Sequence, residues 1–391
     1  MIERLSVRAR TLWTLAALTA IAVVVTPAVA DNLTGSRKTG SQVQAWGTWA
    51  NAVFTDGQRG DRRDPGQVSG LSNVVTLAAG IGSHYALRAD GTLWAWGNND
   101  RGQLGTGKAE ASPLTAPRQV NGLSDMIAVA AGGSSAYAVR ADGTVWAWGN
   151  NGAGQLGDGT TTNRLEPIRV KGLSDVVDVA AGSWSGYALR KDGSVWAWGS
   201  NYRGQLGDGS VTDRPAPARI DGLDGVVDLA TGGACAYAVL SDGTVRAWGA
   251  NDSGELGDGT TTSWSTPTPV AGLREVRTVA AGERSAYALL RDGTVQAWGS
   301  NFSGQLGDGT QEDRLTAVPV VDLQDVVGIA AGSACAYAVL GDGTVRAWGD
   351  GELGQLGSGE TSGTKAPAAV PGLTSATAVV AHAAAAFALV G

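Results

Sequence analysis

The chain has 391 residues and a formal net charge of −7, with 59 Gly and 14 Trp but only 2 Cys, 2 His and 2 Met. An acidic chain without a basic run is a poor partner for nucleic acid, because that affinity comes from neutralising phosphates. Two distant cysteines give no zinc-binding spacing, and the two histidines sit in no nucleophile motif.

In chain order, the first segment differs from all that follows. Arg4, Arg8 and Arg10 make a basic start, Thr11 to Val25 is an apolar run without charge, and Ala28-Val29-Ala30 has the small residues of a cleavage site. This pattern predicts a secretory signal peptide over 1–30, the run being short for a membrane span; a retained N-terminal anchor is the alternative. No Cys follows the cleavage site, so no lipid anchor is expected, and the C-terminus carries no wall-sorting tail. Removal of 1–30 leaves 26 basic and 35 acidic residues, a net charge of −9. The mature chain is thus expected to be extracellular, soluble and free of the membrane. Residues 31–39 read as a short linker, and 40–391 as one repeat domain.

The repeat begins at Gly40 with GSQVQAWG, a worn copy of the frame DGTVWAWG that runs from Asp142 to Gly149. The frame returns at Asp90, Asp192, Asp242, Asp292 and Asp342, and its last Trp falls at Trp46, Trp96, Trp148, Trp198, Trp248, Trp298 and Trp348. The steps are 50, 52, 50, 50, 50 and 50 residues. A fixed period of this size marks a solenoid, propeller or array, whose units share one core because none can bury its own.

One unit shows the elements. Asp178 to Gly182 reads as a first strand, Ser185 to Arg190 as a second, and Asp192-Gly193 as the tight turn between the second and third strands. Ser194 to Trp198 is the third strand, a Gly-rich loop with GQLGDGS follows, and Ala218-Arg219-Ile220 is the fourth. Four short strands in this length make one propeller blade. Val195 and Ala197 share one face while Trp196 and Trp198 share the other, as a sheet packed on both sides requires. The seven equivalent Trp therefore predict packing between blades, with an aromatic ligand cage as the alternative. Cys235 and Cys335 occupy one position in two non-adjacent units, which predicts two buried thiols rather than a bridge.

The ends of the chain predict a closed ring. The last unit stops at Gly391, where its turn is due, and the missing strand is Ser41 to Trp46 at the other end. Pairing of the two completes a seventh sheet without an open edge.

Taken together, AAGxxxSAYALxxDGTVxAWGxNxxGQLGDGTTTxRxxPxxVxGL is similar to the repeat of the regulator-of-chromosome-condensation family, over nearly all of Gly40 to Gly391. The resemblance implies an all-β, seven-bladed propeller closed by both termini. Eukaryotic members include a nucleotide exchange factor for a nuclear GTPase that docks on chromatin. Here a signal peptide and an acidic surface stand where that role needs a nuclear address and a basic tail. Other bacterial members are secreted binders. The first repeat departs most from the pattern, with TWANAVFTDGQRGDRRDPGQV after Trp46, though Asp56-Gly57 and Arg62 still align. In the last unit Ala381-His382 replaces the usual ending.

Strand order puts the loops between strands one and two, and between three and four, on one face. The DG turns and the links between units lie on the other face and barely vary, which reads as scaffold. The variation falls on the first face, at Trp184, Tyr202, Arg203, Trp264, Glu283, Arg284 and Phe302. Large aromatic and Arg side chains on loops of a rigid scaffold are typical interface anchors, so these seven are the candidate binding residues. Scattered surface residues are the bland alternative. Trp184, Trp264 and Arg284 place a large side chain where sister units have small or different ones; Trp264 stands where those units have Arg164, Arg214 and Arg314.

No catalytic residue, metal ligand or cofactor is singled out. The recurring Asp158, Asp208, Asp258 and Asp308 before Gly bring one carboxylate per loop, far below a calcium loop, and read as turn formers. The functional reading is a secreted, monomeric binding module for another protein or a cell-wall component. The alternative is an extracellular enzyme acting on a wall or capsular glycan at the central channel, and the third reading an exchange-factor-like regulator.

Overall fold

The computed structural model describes residues 41–48, 54 and 60–391. The expected signal peptide and linker, and the aligned Asp56-Gly57, lie outside them. Every regular element among these residues is a strand, β1 to β28 in chain order. After β1 (Gln42–Gly47) and β2 (Arg62–Gln67), the first whole sheet is β3 (Val74–Ala79), β4 (Ser83–Arg88), β5 (Leu93–Asn99) and β6 (Glu110–Gln119). Five more four-stranded sheets follow over 126–169, 176–219, 226–269, 276–319 and 326–369, and the chain ends in β27 (Ala376–His382) and β28 (Ala385–Val390). Each whole sheet is an antiparallel meander, and the seventh has the order β2-β1-β28-β27. Numbered from β3, these are seven blades of one propeller. The first strands of successive blades touch all the way round, so they line the centre, and the fourth strands form the half-exposed rim.

The alternation read from the sequence places the core. In blade 3, β11 (Val176–Ala181), β12 (Ser185–Arg190), β13 (Val195–Gly199) and β14 (Arg214–Arg219) are all within a residue or two of expectation except the last. The fourth strand starts earlier than Ala218 because Arg214 pairs with Gly199 across a bulge, a contact with no period-two signal. Gly199 has a φ of 101°, and a Cβ there would stand 2.4 Å from the Trp184 carbonyl oxygen, which explains the Gly that closes every AWG.

All seven frame tryptophans are buried between blades. Trp198 Nε1 donates to the Gln155 carbonyl of the previous blade at 2.7 Å, and the Tyr137 hydroxyl donates to the same oxygen at 2.6 Å. The two rings meet edge to face with centroids 5.9 Å apart. A large apolar side chain with one polar tip is satisfied in this way only if the neighbouring blade supplies the acceptor. The aromatic-cage alternative is therefore set aside for these seven positions.

The chain's ends close the ring as expected. Val43 pairs with Leu389 and Ala45 with Phe387, making β1 the third strand of blade 7, and β2 supplies the fourth. Cys235 and Cys335 are free and buried, each next to a tyrosine hydroxyl, and burial pushes both thiols up to about 12.

Candidate functional site

The loop face is built before it is decorated. Asn201 Oδ1 accepts the Leu206 amide at 2.9 Å, while its amide group donates to Asp208 and to Ser210. Asp208 in turn accepts the Ser210 amide and hydroxyl and an ion pair from Arg214. Asn151, Asn251 and Asn301 organise their loops in the same manner. Burial alone raises the Asp158 carboxyl, but donors from Thr160, Arg164 and Asn151 outweigh it and hold it below the usual range. The Asp before Gly is thus a loop organiser, and among the described residues no three of His, Cys, Asp and Glu gather to hold a metal.

On this frame the seven candidates separate. Trp184, at the turn between β11 and β12, is 44% exposed, and Tyr202 and Phe302 are 62% and 65% exposed. Arg203 crosses to the next blade's loop and pairs with Asp252. Arg284 is exposed and Glu283 half-buried at the turn before β20 (Ser285–Leu290). Trp264 opens β18 (Trp264–Pro269) on the outer rim, where its Nε1 donates to Asp258 at 2.9 Å. It therefore does the work of Arg164, Arg214 and Arg314, which pair with the equivalent aspartates. Trp264, read from the sequence as a candidate binding residue, thus has a scaffold role as well.

Arg203 and Arg284 both act electrostatically on a residue that the sequence reading passed over, Glu255. Glu255 stands where other units have Gln103, Gln155, Gln205, Gln305 and Gln355, and it is 3% exposed. Its carboxylate accepts the Ser253 amide at 2.7 Å. Burial raises the Glu255 carboxyl, and the nearby Arg284 and Arg203 pull the other way. A single Glu for Gln in an otherwise regular GQLG loop was the available signal. Trp184, Arg203, Glu255, Arg284 and Phe302 thus belong to the loop face of blades 3 to 5, while Trp264 belongs to the rim.

The other surfaces offer less. A groove of about 690 Å³ beside β2, lined by Asp61, Arg62, Arg63 and Asp64 among others, contains none of the candidates. The turn face is held by side chain to main chain bonds such as Asp192 to the Ser194 amide, 3.0 Å. Near it, Ile127, Val227 and Val327 are exposed on innermost strands.

Comparison with known proteins fits this architecture. The family model for the RCC1-like domain matches residues 42–390. A zebrafish protein, the RCC2 homolog, is 41% identical over 81 residues, which is 20% of this chain and 16% of that protein. The aligned part is therefore far short of that relative's length. Human WBSCR16 superposes with a TM-score of 0.78 at 23% identity, covering 90% of this chain and 98% of that one. Yeast RCC1 (Prp20) bound to Kap60 gives 0.82 at 20% identity, covering 100% and 96%. A second structure of the Saccharomyces cerevisiae protein, reported with its binding to Gsp1p and histones, gives 0.79 at 21% identity over 90% and 91%. At these identities the likeness is one of fold.

Proposed function

We propose that this chain, which belongs to the RCC1-like domain family, works outside the cell as a monomeric module that binds another protein on its loop face. The observation that carries this reading is the set of departures from the repeat on the loop face of blades 3 to 5. Trp184 and Arg284 replace small residues, and Arg203 reaches across to Asp252, around a Glu255 that no other unit carries. An exposed indole and guanidinium on a rigid frame are the residue types that concentrate binding energy. A partner that fits them brings an apolar group for Trp184 and a carboxylate for Arg284. Yeast Prp20, of the same fold, binds Kap60, Gsp1p and histones, which supports a protein partner. Export rests on the basic start and apolar run of 1–30, which makes a cell-wall protein the natural candidate.

The test uses the 31–391 chain, immobilised and incubated with culture supernatant and wall extract. A protein retained by the wild type and lost with the combined Trp184→Ala, Arg203→Ala and Arg284→Ala variant supports the reading. Equal retention by both sinks it, and turnover of a purified glycan by the same preparation moves the assignment to an enzyme.

A further inference from the structure

Asn is followed by Gly at two places in the chain, Asn121-Gly122 and Asn151-Gly152. Such a pair carries a latent reaction. The main-chain nitrogen of a glycine, with no side chain in the way, can attack the amide carbon of the asparagine before it. The amide nitrogen then leaves as ammonia, and a five-membered imide remains. The reaction needs both groups free to meet, and the fold treats the two pairs in opposite ways.

Asn151 is fully buried. Its amide nitrogen donates to Asp158 at 3.1 Å and to the Thr160 and Thr162 carbonyls at 3.1 and 3.0 Å, and its oxygen accepts the Leu156 amide at 2.9 Å. The Gly152 nitrogen is engaged as well, donating to Asn150 Oδ1 at 3.1 Å. The carboxamide cannot turn towards the main chain without breaking these bonds and opening the loop that it organises. Asn151 is therefore held out of the reaction.

Asn121 stands in the turn that links β6 to β7 (Met126–Ala131), between blades 1 and 2, and both it and Gly122 are exposed. Among the described residues neither the Asn121 side chain nor the Gly122 nitrogen has a hydrogen-bond partner. A Cβ on Gly122 would meet nothing within 4 Å, so the space beside that nitrogen is open. The turn is pinned on either side, since Val120 and Leu123 are buried and the Val120 amide donates to the Leu93 carbonyl at 2.8 Å. Sister units carry Ser69, Lys171, Asp221 and Ala271 in place of Asn121, so the fold does not require the amide there.

We propose that Asn121 is a site of self-modification, at which the Gly122 nitrogen displaces ammonia from the side-chain amide and water then opens the imide. A bond forms from that nitrogen to Cγ while the bond from Cγ to Nδ2 breaks, and the proton on the Gly122 nitrogen leaves with the ammonia. Water adding at Cγ restores the main chain and leaves aspartate, the residue that Asp221 already supplies in the equivalent turn. Water adding at the main-chain carbonyl carbon of residue 121 breaks its bond to nitrogen instead and leaves isoaspartate. Either product places a new negative charge on the turn face. Isoaspartate also adds one atom to the main chain between the pinned Val120 and Leu123, in the joint between two blades.

The two pairs make an internal comparison. The folded chain, and the same chain unfolded in guanidinium, are incubated at mildly alkaline pH in heavy-oxygen water, so that only residues converted during the incubation carry the label. Cleavage after arginine puts Asn121 in the peptide 119–140 and Asn151 in the peptide 141–164, and mass spectrometry reads label and isoaspartate in each. In the folded chain Asn121 should convert at least about tenfold faster than Asn151, and in guanidinium the two rates should be comparable. Gly122→Ala, with folding checked by circular dichroism, sets a methyl group beside the attacking nitrogen and should slow the conversion of Asn121 at least about tenfold. An Asn121 that keeps its amide in the folded chain while the unfolded chain converts it overturns the site. Equal conversion of Asn121 and Asn151 in the folded chain, or an unchanged rate in Gly122→Ala, overturns it as well.

Discussion

The Trp46 indole donates to the Gln355 carbonyl at 2.8 Å, although 309 residues separate them in the chain. The Tyr337 hydroxyl donates to the same oxygen at 2.5 Å, and Tyr337 and Trp46 meet edge to face. This is the joint that Trp148 makes with Gln103 and Tyr85 inside the continuous chain. The N-terminal strand is therefore docked by the same chemistry as any internal blade.

The first prediction follows from that equivalence. Trp46→Ala should cost as much as Trp148→Ala, about 3–5 kcal/mol each, because both leave a cavity between blades and an acceptor short of a donor. Urea denaturation of the two variants decides it. A Trp46→Ala chain close to wild-type stability would mean that the terminal strand contributes little to the ring.

A second prediction separates chemistry from bulk at the rim. Since Trp264 and the sister arginines serve equivalent aspartates, Trp264→Arg should be nearly neutral. Trp264→Ala removes the donor to a hydrogen-bonded carboxylate and should cost about 1 kcal/mol. If arginine proves as damaging as alanine, packing rather than the bond to Asp258 is the reason for the indole.

The third concerns pH. Asp178 on the innermost strand of blade 3 is 6% exposed, and one of its oxygens has no partner. Burial and then the neighbouring Asp228 push its carboxyl up to about 7 from 3.8. The folded chain therefore binds this proton more tightly than the unfolded chain does, so its contribution to stability falls as pH rises from about 4 to 7. Asp178→Asn should stabilise the protein above pH 7, and that advantage should shrink as pH falls towards 4. His84 and His382 act with the opposite sign, since their values drop from 6.5 to about 3 and their contribution is lost as pH falls through that window. Melts across this pH range, comparing wild type, Asp178→Asn and the double variant His84→Ala with His382→Gly, separate the two effects. A constant offset between Asp178→Asn and wild type at every pH would contradict the assignment to Asp178.

Most of the fold was legible because its signals are local. A Gly after an Asp, a period-two run and a Trp every fifty or so residues each report on a few neighbouring positions, and they survive in every unit except for the Asp-Gly turn of the last. What lay beyond the sequence reading depends on contacts between units. The role of Asn201 appears only when its loop curls back on it, and the bond from Trp264 to Asp258 looks like an unexplained aromatic until the rim is built. The isolated Glu255 gains meaning only once the fold brings the charges of Arg203 and Arg284 within reach of its carboxyl. Asp178 and Asp228 read as strand polar residues until the blades bring them side by side. The departures from consensus were visible as departures, but their partners were not.

The most direct test of the binding-face account is the affinity of a purified partner, measured by calorimetry, for three forms of the 31–391 chain. These are the wild type, the Trp184→Ala, Arg203→Ala and Arg284→Ala combination, and a turn-face control carrying Val227→Ser and Val327→Ser. The account predicts that the loop-face variant keeps its thermal midpoint within a few degrees and weakens binding by about 1–3 kcal/mol for each anchor that contributes. The control should bind like wild type. Unchanged affinity in the loop-face variant, with loss in the control, would contradict the account and place the partner on the opposite face of the ring.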